Sequence, residues 1–273
     1  MSHSLSTPRL VGLLPAAGKA SRIQPLPCSK ELLPIGFQPV GGKGEGTLRP
    51  KTVSHYLLES MHHAGVRQAY VVINRGKWDI PAYYGPGTLT GIDLAYVVTD
   101  YPYGAPFSLK QAFPFVSDAT ILLGFPDIIM SAVDGFDRLL EKKAGTGADL
   151  VLGLFKATEP AKMDMVDFDD NNAIKAIEIK PKATDLIYTW IIAVWSPEFT
   201  AFMKAYLDRI EPSVRCEFQR PPTDRLSEYY VGQVIQEALK SNLKIAHVIF
   251  DNETYTDIGT PDSLVSAMTN RII

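Results

Sequence analysis

The sequence predicts a single α/β domain with a mixed, mostly parallel central sheet flanked by helices, and three observations carry that prediction. Compact, uncharged apolar runs recur at residues 10–14, 69–73 and 120–123, as strands buried on both faces require. Segments of helical period separate such runs. In residues 52–65, Val53, Tyr56, Leu57, Met61 and Ala64 share one helical face, and Gly65 supplies a C-terminal stop. No composition shift or linker divides the 273 residues, a length that one large α/β domain fills. In such sheets the ligand crevice lies off the carboxyl ends of the strands. A polar residue just after an apolar run is therefore a site candidate.

The elements follow in order. A strand at 10–14 is followed by a loop of small residues, then by the helix at 52–65 and a strand at 69–73. Strands at 92–98 and 120–123, a helix at 133–143 and a strand at 148–155 continue the series. Residues 36–46 are Gly-rich and read as a loop, because strand–helix alternation resumes after them. The second half is less regular. Strands at 165–168 and 174–179 flank an Asp-Asp-Asn-Asn turn at 169–172. A strand at 186–195, helices at 198–210 and 227–241, a strand at 243–250 and a helix at 261–270 complete the chain.

Composition excludes several classes of function. A net charge of −3 with no dense Lys/Arg block argues against a nucleic-acid partner. Two cysteines far apart, Cys28 and Cys216, fit reduced thiols and a cytoplasmic protein. Residues 1–9 are polar, and no uninterrupted apolar stretch is long enough for a membrane span. A homo-oligomer is left open. His62 and His63 are adjacent on a helix, cannot face one ligand together, and have no partner at zinc spacing.

The first candidate site is the loop after the first strand. Ala16, Ala17, Gly18, Lys19, Ala20 and Ser21 let the backbone approach a ligand, so that successive N–H groups can cradle phosphate. Arg22 and Lys30 add the positive charge that a triphosphate needs. The stretch matches neither a Walker A loop nor the Gly-x-Gly-x-x-Gly turn. Locally it also reads as a tight turn with two solvated basic residues, in which Lys30 is a surface lysine of little consequence for stability. Asp127, in Gly124-Phe125-Pro126-Asp127, follows a strand end, where a Pro-Asp turn is the plainer reading. Asp257 stands in Tyr255-Thr256-Asp257-Ile258-Gly259-Thr260-Pro261, just before a helix. Glu178-Ile179-Lys180-Pro181 closes a strand and reads locally as a solvated edge. Asp167-Phe168-Asp169 has the spacing of a glycosyltransferase metal motif but falls at a turn, where Asp is a default residue.

Taken together, Gly18, Ser21, Arg22, Pro25, Ser29, Lys30, Leu33 and Pro34 resemble the signature of the sugar-phosphate nucleotidyltransferases. That family includes glucose-1-phosphate thymidylyltransferases and UTP–glucose-1-phosphate uridylyltransferases. Asp127, Glu178-Ile179-Lys180-Pro181 and Asp257-Ile258-Gly259-Thr260 follow in the family's order, so the resemblance spans nearly the whole chain. It implies one Rossmann-like domain over residues 8–273, with a nucleotide half at about 8–130 and a sugar-phosphate half at about 131–273. It implies an enzyme joining an NTP to a sugar 1-phosphate with Mg²⁺, releasing pyrophosphate. Residues 16–21 and Gly104 would hold the nucleotide, with Arg22 and Lys30 on its phosphates. Asp127 and Asp257 would hold the metal, and Glu178, Lys180 and Arg225 the sugar phosphate. Four departures are visible. Ala20 replaces the usual second glycine, the Arg22-to-Lys30 spacing is shorter than the family's, Pro27 stands where the family has a threonine, and Asp127 comes later. They leave one rival, a catalytically weakened nucleotide-sugar-binding paralogue that regulates a partner; Asp167-Phe168-Asp169 leaves a second, a nucleotide-sugar-dependent glycosyltransferase.

Overall fold

The structure, a computed structural model, describes residues 9–40, 47–221 and 228–269. The strand read at 10–14 is β1 (Leu10–Pro15), lying parallel between β4 (Gln68–Ile73) and β6 (Thr120–Gly124). A fourth parallel strand, β5 (Asp93–Val98), extends this half beyond β4. Side chains alternate across a strand. Accordingly Val11 and Leu13 join one apolar core, while Leu14 joins the core on the opposite face.

The other half of the sheet is antiparallel at its centre. β11 (Tyr188–Trp195) runs antiparallel to β6 on one edge and to β8 (Leu150–Lys156) on the other, and β12 (Ile245–Phe250) lies parallel beyond β8. Tyr188 and Thr189 also pair with β9 (Asp164–Phe168), which turns back as β10 (Ile174–Ile179). The result is a mixed nine-stranded sheet. α1 (Val53–His63), α2 (Asp79–Tyr84) and α5 (Gly135–Thr146) supply apolar residues to one core. α3 (Ala105–Lys110), α4 (Phe113–Val116), α6 (Pro197–Glu217) and α7 (Val231–Ala238) supply the other. Among the described residues, no helix is long and apolar enough to cross a membrane.

Two small sheets stand outside this frame. β2 (Pro34–Val40) pairs with β3 (Thr47–Thr52), so residues 36–40 of the expected loop are strand, and residues 41–46 lie outside the described ones. β7 (Ile128–Met130) pairs antiparallel with β13 (Tyr255–Asp257), just before α8 (Pro261–Thr269). A third, smaller apolar cluster of Ile23, Leu33, Ile35, Val53, Ile129, Ile258 and Ala267 fastens the post-β1 loop to β7 and α8. The helix expected at 198–210 continues through Pro212 to Glu217, because Val214 is buried beyond the proline and anchors the extra turns. The helix expected at 227–241 starts at Val231, where Gln233 folds back to accept a hydrogen bond from the Tyr230 N–H.

Candidate active site

A cleft of about 650 Å³ opens off the carboxyl ends of β1 and β6, within the size range of small-molecule sites. Pro15, Ala17, Gly18, Lys19, Ala20, Ser21 and Arg22 form one lip, and Tyr101, Pro102 and Gly104 a second. Asp127 and Asp257 lie on its wall, as do Asp164, Lys180, Trp190 and Tyr230.

The loop is rooted rather than free. Ala16 donates its backbone N–H to the Val72 carbonyl at 2.8 Å and is fully buried. It therefore belongs to the core and not to the cleft wall, which corrects its assignment as a nucleotide contact. The Asn74 side chain donates to the Ala17 carbonyl at 2.7 Å and ties the lip to the end of β4. At Ala20, where the resembling family carries glycine, the backbone takes φ +52°. That left-handed conformation costs a residue with a Cβ roughly 1–2 kcal/mol.

The two aspartates meet through the β7–β13 pair. Asp257 sits opposite Ile128 in the register, and the Ile258 N–H donates to the Asp127 carbonyl at 2.9 Å. The Lys30 ammonium, from a 3₁₀ turn at Lys30–Leu32, pairs with Asp127 Oδ2. Its side chain is only 13% exposed, so Lys30 is a buried partner and not the solvated surface lysine that the local reading allowed. Burial opposes charge on both groups, yet each outweighs it for the other: Lys30 is held above its ordinary pKa and Asp127 below. Asp257 fares differently. Burial and the neighbouring Asp127 push it up to about 6, and its Oδ1 has no hydrogen-bond partner. Gly259 makes room here: a Cβ would stand 2.9 Å from Asp257 Oδ1 and 3.0 Å from the Arg22 guanidinium. Two carboxylates forced together, one with an orphaned oxygen, form a donor set that fits a hard divalent cation.

Beneath this cluster lies an ion pair that the sequence reading missed. Lys77 Nζ donates to both Glu31 oxygens at 2.6 and 2.8 Å, with side chains 8% and 2% exposed. Lys77 follows the apolar run of β4, so the strand-end rule could have flagged it. Glu31 lines the cleft, and its pKa is raised by burial against the opposing effect of Lys77.

At the other end, Lys180 has φ +43° and its Nζ stands 3.7 Å from the Tyr230 ring centroid, a cation–π contact on the cleft wall. Glu178 is not on that wall. It is exposed, and its Oε2 accepts from Thr184 Oγ1 at 3.4 Å. The acid the structure does place there is Asp164, one strand over, whose carboxyl burial pushes up to about 6 against the lowering effect of Lys180. As the first residue of a strand it carried no sequence signal. Arg225 lies outside the described residues. Gly104 bridges to Tyr229 on the second lip. Asp169 Oδ1 accepts from the N–H groups of Asn171 and Ala173, both at 2.9 Å, and so closes the hairpin turn.

Comparison with known proteins shows the family to which the chain belongs. The profile of the family described as Nucleotidyl transferase matches residues 11–272. The low-salt glycan biosynthesis nucleotidyltransferase Agl11 of Haloferax volcanii is 23% identical over 94% of this chain and 64% of its own length. A glucose-1-phosphate thymidylyltransferase of Streptomyces antibioticus is 22% identical over 76% of this chain and 54% of its own. The chain thus spans less than two thirds of the length of these relatives. A Bacillus anthracis crystal structure that carries the name of a glucose-1-phosphate thymidylyltransferase, in complex with sucrose, superposes with a TM-score of 0.75. At 19% identity, over 94% of this chain and 93% of that one, it speaks for the fold. A match over almost the entire chain, with the cleft where the fold puts it, makes this protein a member of the nucleotidyl transferase family.

Proposed function

We propose that the protein transfers a nucleotidyl group from an NTP to a sugar 1-phosphate, giving an NDP-sugar and pyrophosphate. The observation that carries this reading is the division of one cleft into two ends. A backbone loop with Arg22, Lys30 and paired carboxylates lies at one end, and Lys180, against Tyr230 and near Asp164, lies at the other.

The chemistry asks little of the protein in proton transfer, because the attacking phosphate oxygen is already ionised. That oxygen forms a bond to the α-phosphorus in line with the departing pyrophosphate, whose bond to the same phosphorus breaks. Residues 17–21 hold the triphosphate through backbone N–H groups, and Arg22 and Lys30 neutralise charge on the leaving group. Lys180 orients the sugar phosphate as the nucleophile. Asp127 and Asp257 would hold Mg²⁺, which when bound supplies charge neutralisation across the phosphates.

A pyrophosphate-release assay over the common NTPs and a panel of hexose 1-phosphates, with and without Mg²⁺, tests the reading. Release that needs both substrates and the metal is the expected result. Nucleotide-sugar binding without release for any pair would establish the regulatory paralogue instead. Asp169 Oδ1 closes the hairpin turn and Asp167 pairs with Lys175, which weighs against the glycosyltransferase alternative.

A further inference from the structure

Two buried polar atoms on the sugar end of the cleft lack partners. Trp190 is only 5% exposed, lies on the cleft wall, and its indole Nε1–H donates to nothing. Asp164 stands beside it, and its Oδ1 accepts from nothing. The indole is near enough to help lower the Asp164 pKa, yet the two atoms do not close to hydrogen-bond geometry. An unsatisfied buried donor and an unsatisfied buried acceptor each cost stability, and two together on one wall of a cleft need a reason.

The surroundings hold this pair in place. Asp164 is fixed from behind: the Gly232 N–H, in the first turn of α7, favours its ionised form. A Cβ at Gly232 would come within 2.3 Å of Oδ2, so only glycine admits the carboxylate. Thr189 Oγ1 donates to the Asp164 carbonyl at 2.9 Å and fixes the strand. Trp190 is set by a register shift in β11 between Trp190 and Ile192, and its ring packs 5.5 Å from that of Phe125. A bulge of this kind re-aims a side chain beside a site.

The chemistry of the two orphans then selects a ligand group. An indole N–H only donates and a carboxylate only accepts. A hydroxyl accepts from the first and donates to the second through a single oxygen, which suits two orphans on one wall. An ammonium satisfies the carboxylate alone, and a ketone or ether oxygen satisfies the indole alone. We infer that Asp164 and Trp190 together read one ring hydroxyl of the sugar 1-phosphate, making them the specificity determinants of the sugar end. The inference rests on the proposed function and narrows its substrate to a sugar with a free hydroxyl at that position. Glu178, exposed and bonded to Thr184, takes no part.

Calorimetric binding of glucose, galactose and mannose 1-phosphates, and of their monodeoxy analogues, to the wild type, Asp164→Asn and Trp190→Phe tests this. Asp164→Asn keeps the shape and removes the charge. It should weaken the best-bound sugar phosphate about tenfold or more while leaving NTP affinity within about twofold. Trp190→Phe should do the same. One monodeoxy analogue should bind the wild type comparably worse, and that analogue alone should lose nothing further in Asp164→Asn. Deoxy analogues tested on the wild type keep the inference falsifiable even if a variant folds poorly. If Asp164→Asn lowers thermal stability but leaves sugar-phosphate affinity unchanged, Asp164 merely partners Trp190. The inference is then overturned with the proposed function intact. Equal losses for sugar phosphate and NTP overturn it as well. A wild type that binds no member of the panel removes the proposed function and the inference together.

Discussion

The two ends of the cleft handle their polar and charged groups in opposite ways. At the nucleotide end two buried pairs are matched before any ligand arrives: Lys30 with Asp127, and Lys77 with Glu31. At the sugar end the groups wait. Lys180 lies over the Tyr230 ring with Asp164 nearby but without a salt bridge to it, while Asp164 Oδ1 and Trp190 Nε1 have no hydrogen-bond partner. Matched pairs hold a rigid frame that a highly charged triphosphate must reorganise. Unmatched groups store a demand that a less charged, hydroxyl-rich molecule can meet. Affinity at the first end is thus a difference between two strong sets of interactions, and at the second it is nearer to the interactions themselves.

The strongest way to break the comparison is to unmatch a pair. Lys77→Ala leaves Glu31 buried without its cation and should destabilise the protein by roughly 3–5 kcal/mol, measured by urea unfolding. Adding Glu31→Gln should recover much of the loss. A cost below about 1 kcal/mol would mean that water reaches the pair and that the frame is not built on it.

At the sugar end, the corresponding deletion should leave the fold alone. Lys180→Ala removes a cation–π contact and the charge of an exposed lysine near Asp164, so unfolding free energy should change by about 1 kcal/mol or less. Sugar-phosphate affinity should fall roughly tenfold to a hundredfold, the range of a charge-assisted hydrogen bond, with NTP affinity nearly unchanged. Calorimetry on both ligands checks this. An equal loss for both would show that the two ends do not act separately.

The smallest effect is a slope in pH. Asp164 titrates at about 6 in the folded protein against an ordinary 3.8. Between those values the folded state holds a proton that the unfolded chain has released. This contribution to stability is therefore present below about 4 and lost as pH rises through about 6. Asp164→Asn should flatten that part of the stability–pH curve, leaving the parallel contribution of Asp257, also at about 6. An unchanged curve would place the Asp164 carboxyl in contact with water.

What could be read from the sequence tracks how each part is stabilised. β1, β4 and β6 announce themselves because strands buried on both faces must be continuously apolar. Asp127 and Lys77 follow such strands, where α/β folds present ligands, although only Asp127 was singled out. Residues 36–40 of β2 read as part of a Gly-rich loop, and β3 is mostly exposed and shows no alternation that would reveal it. Lys30 was legible as a phosphate ligand but not as a buried group, because burial depends on Asp127 arriving from another part of the chain. Trp190 and Asp164 gave no signal. A tryptophan within an apolar strand reads as core, and only the missing partners of both residues mark them as something else.

The β7–β13 pair has a consequence for how the protein comes into being. One carboxylate of the charged cluster lies near the middle of the sequence and the other far downstream, joined through three residues of each strand. During synthesis the parallel half of the sheet and Asp127 emerge long before their distant counterpart, and contacts of such wide separation form late. Until residue 257 leaves the ribosome, Asp127 has only Lys30 for company. A nascent chain therefore passes through an interval in which the sheet can fold while its candidate metal centre cannot exist, so a prematurely ended product has at most a nucleotide lip.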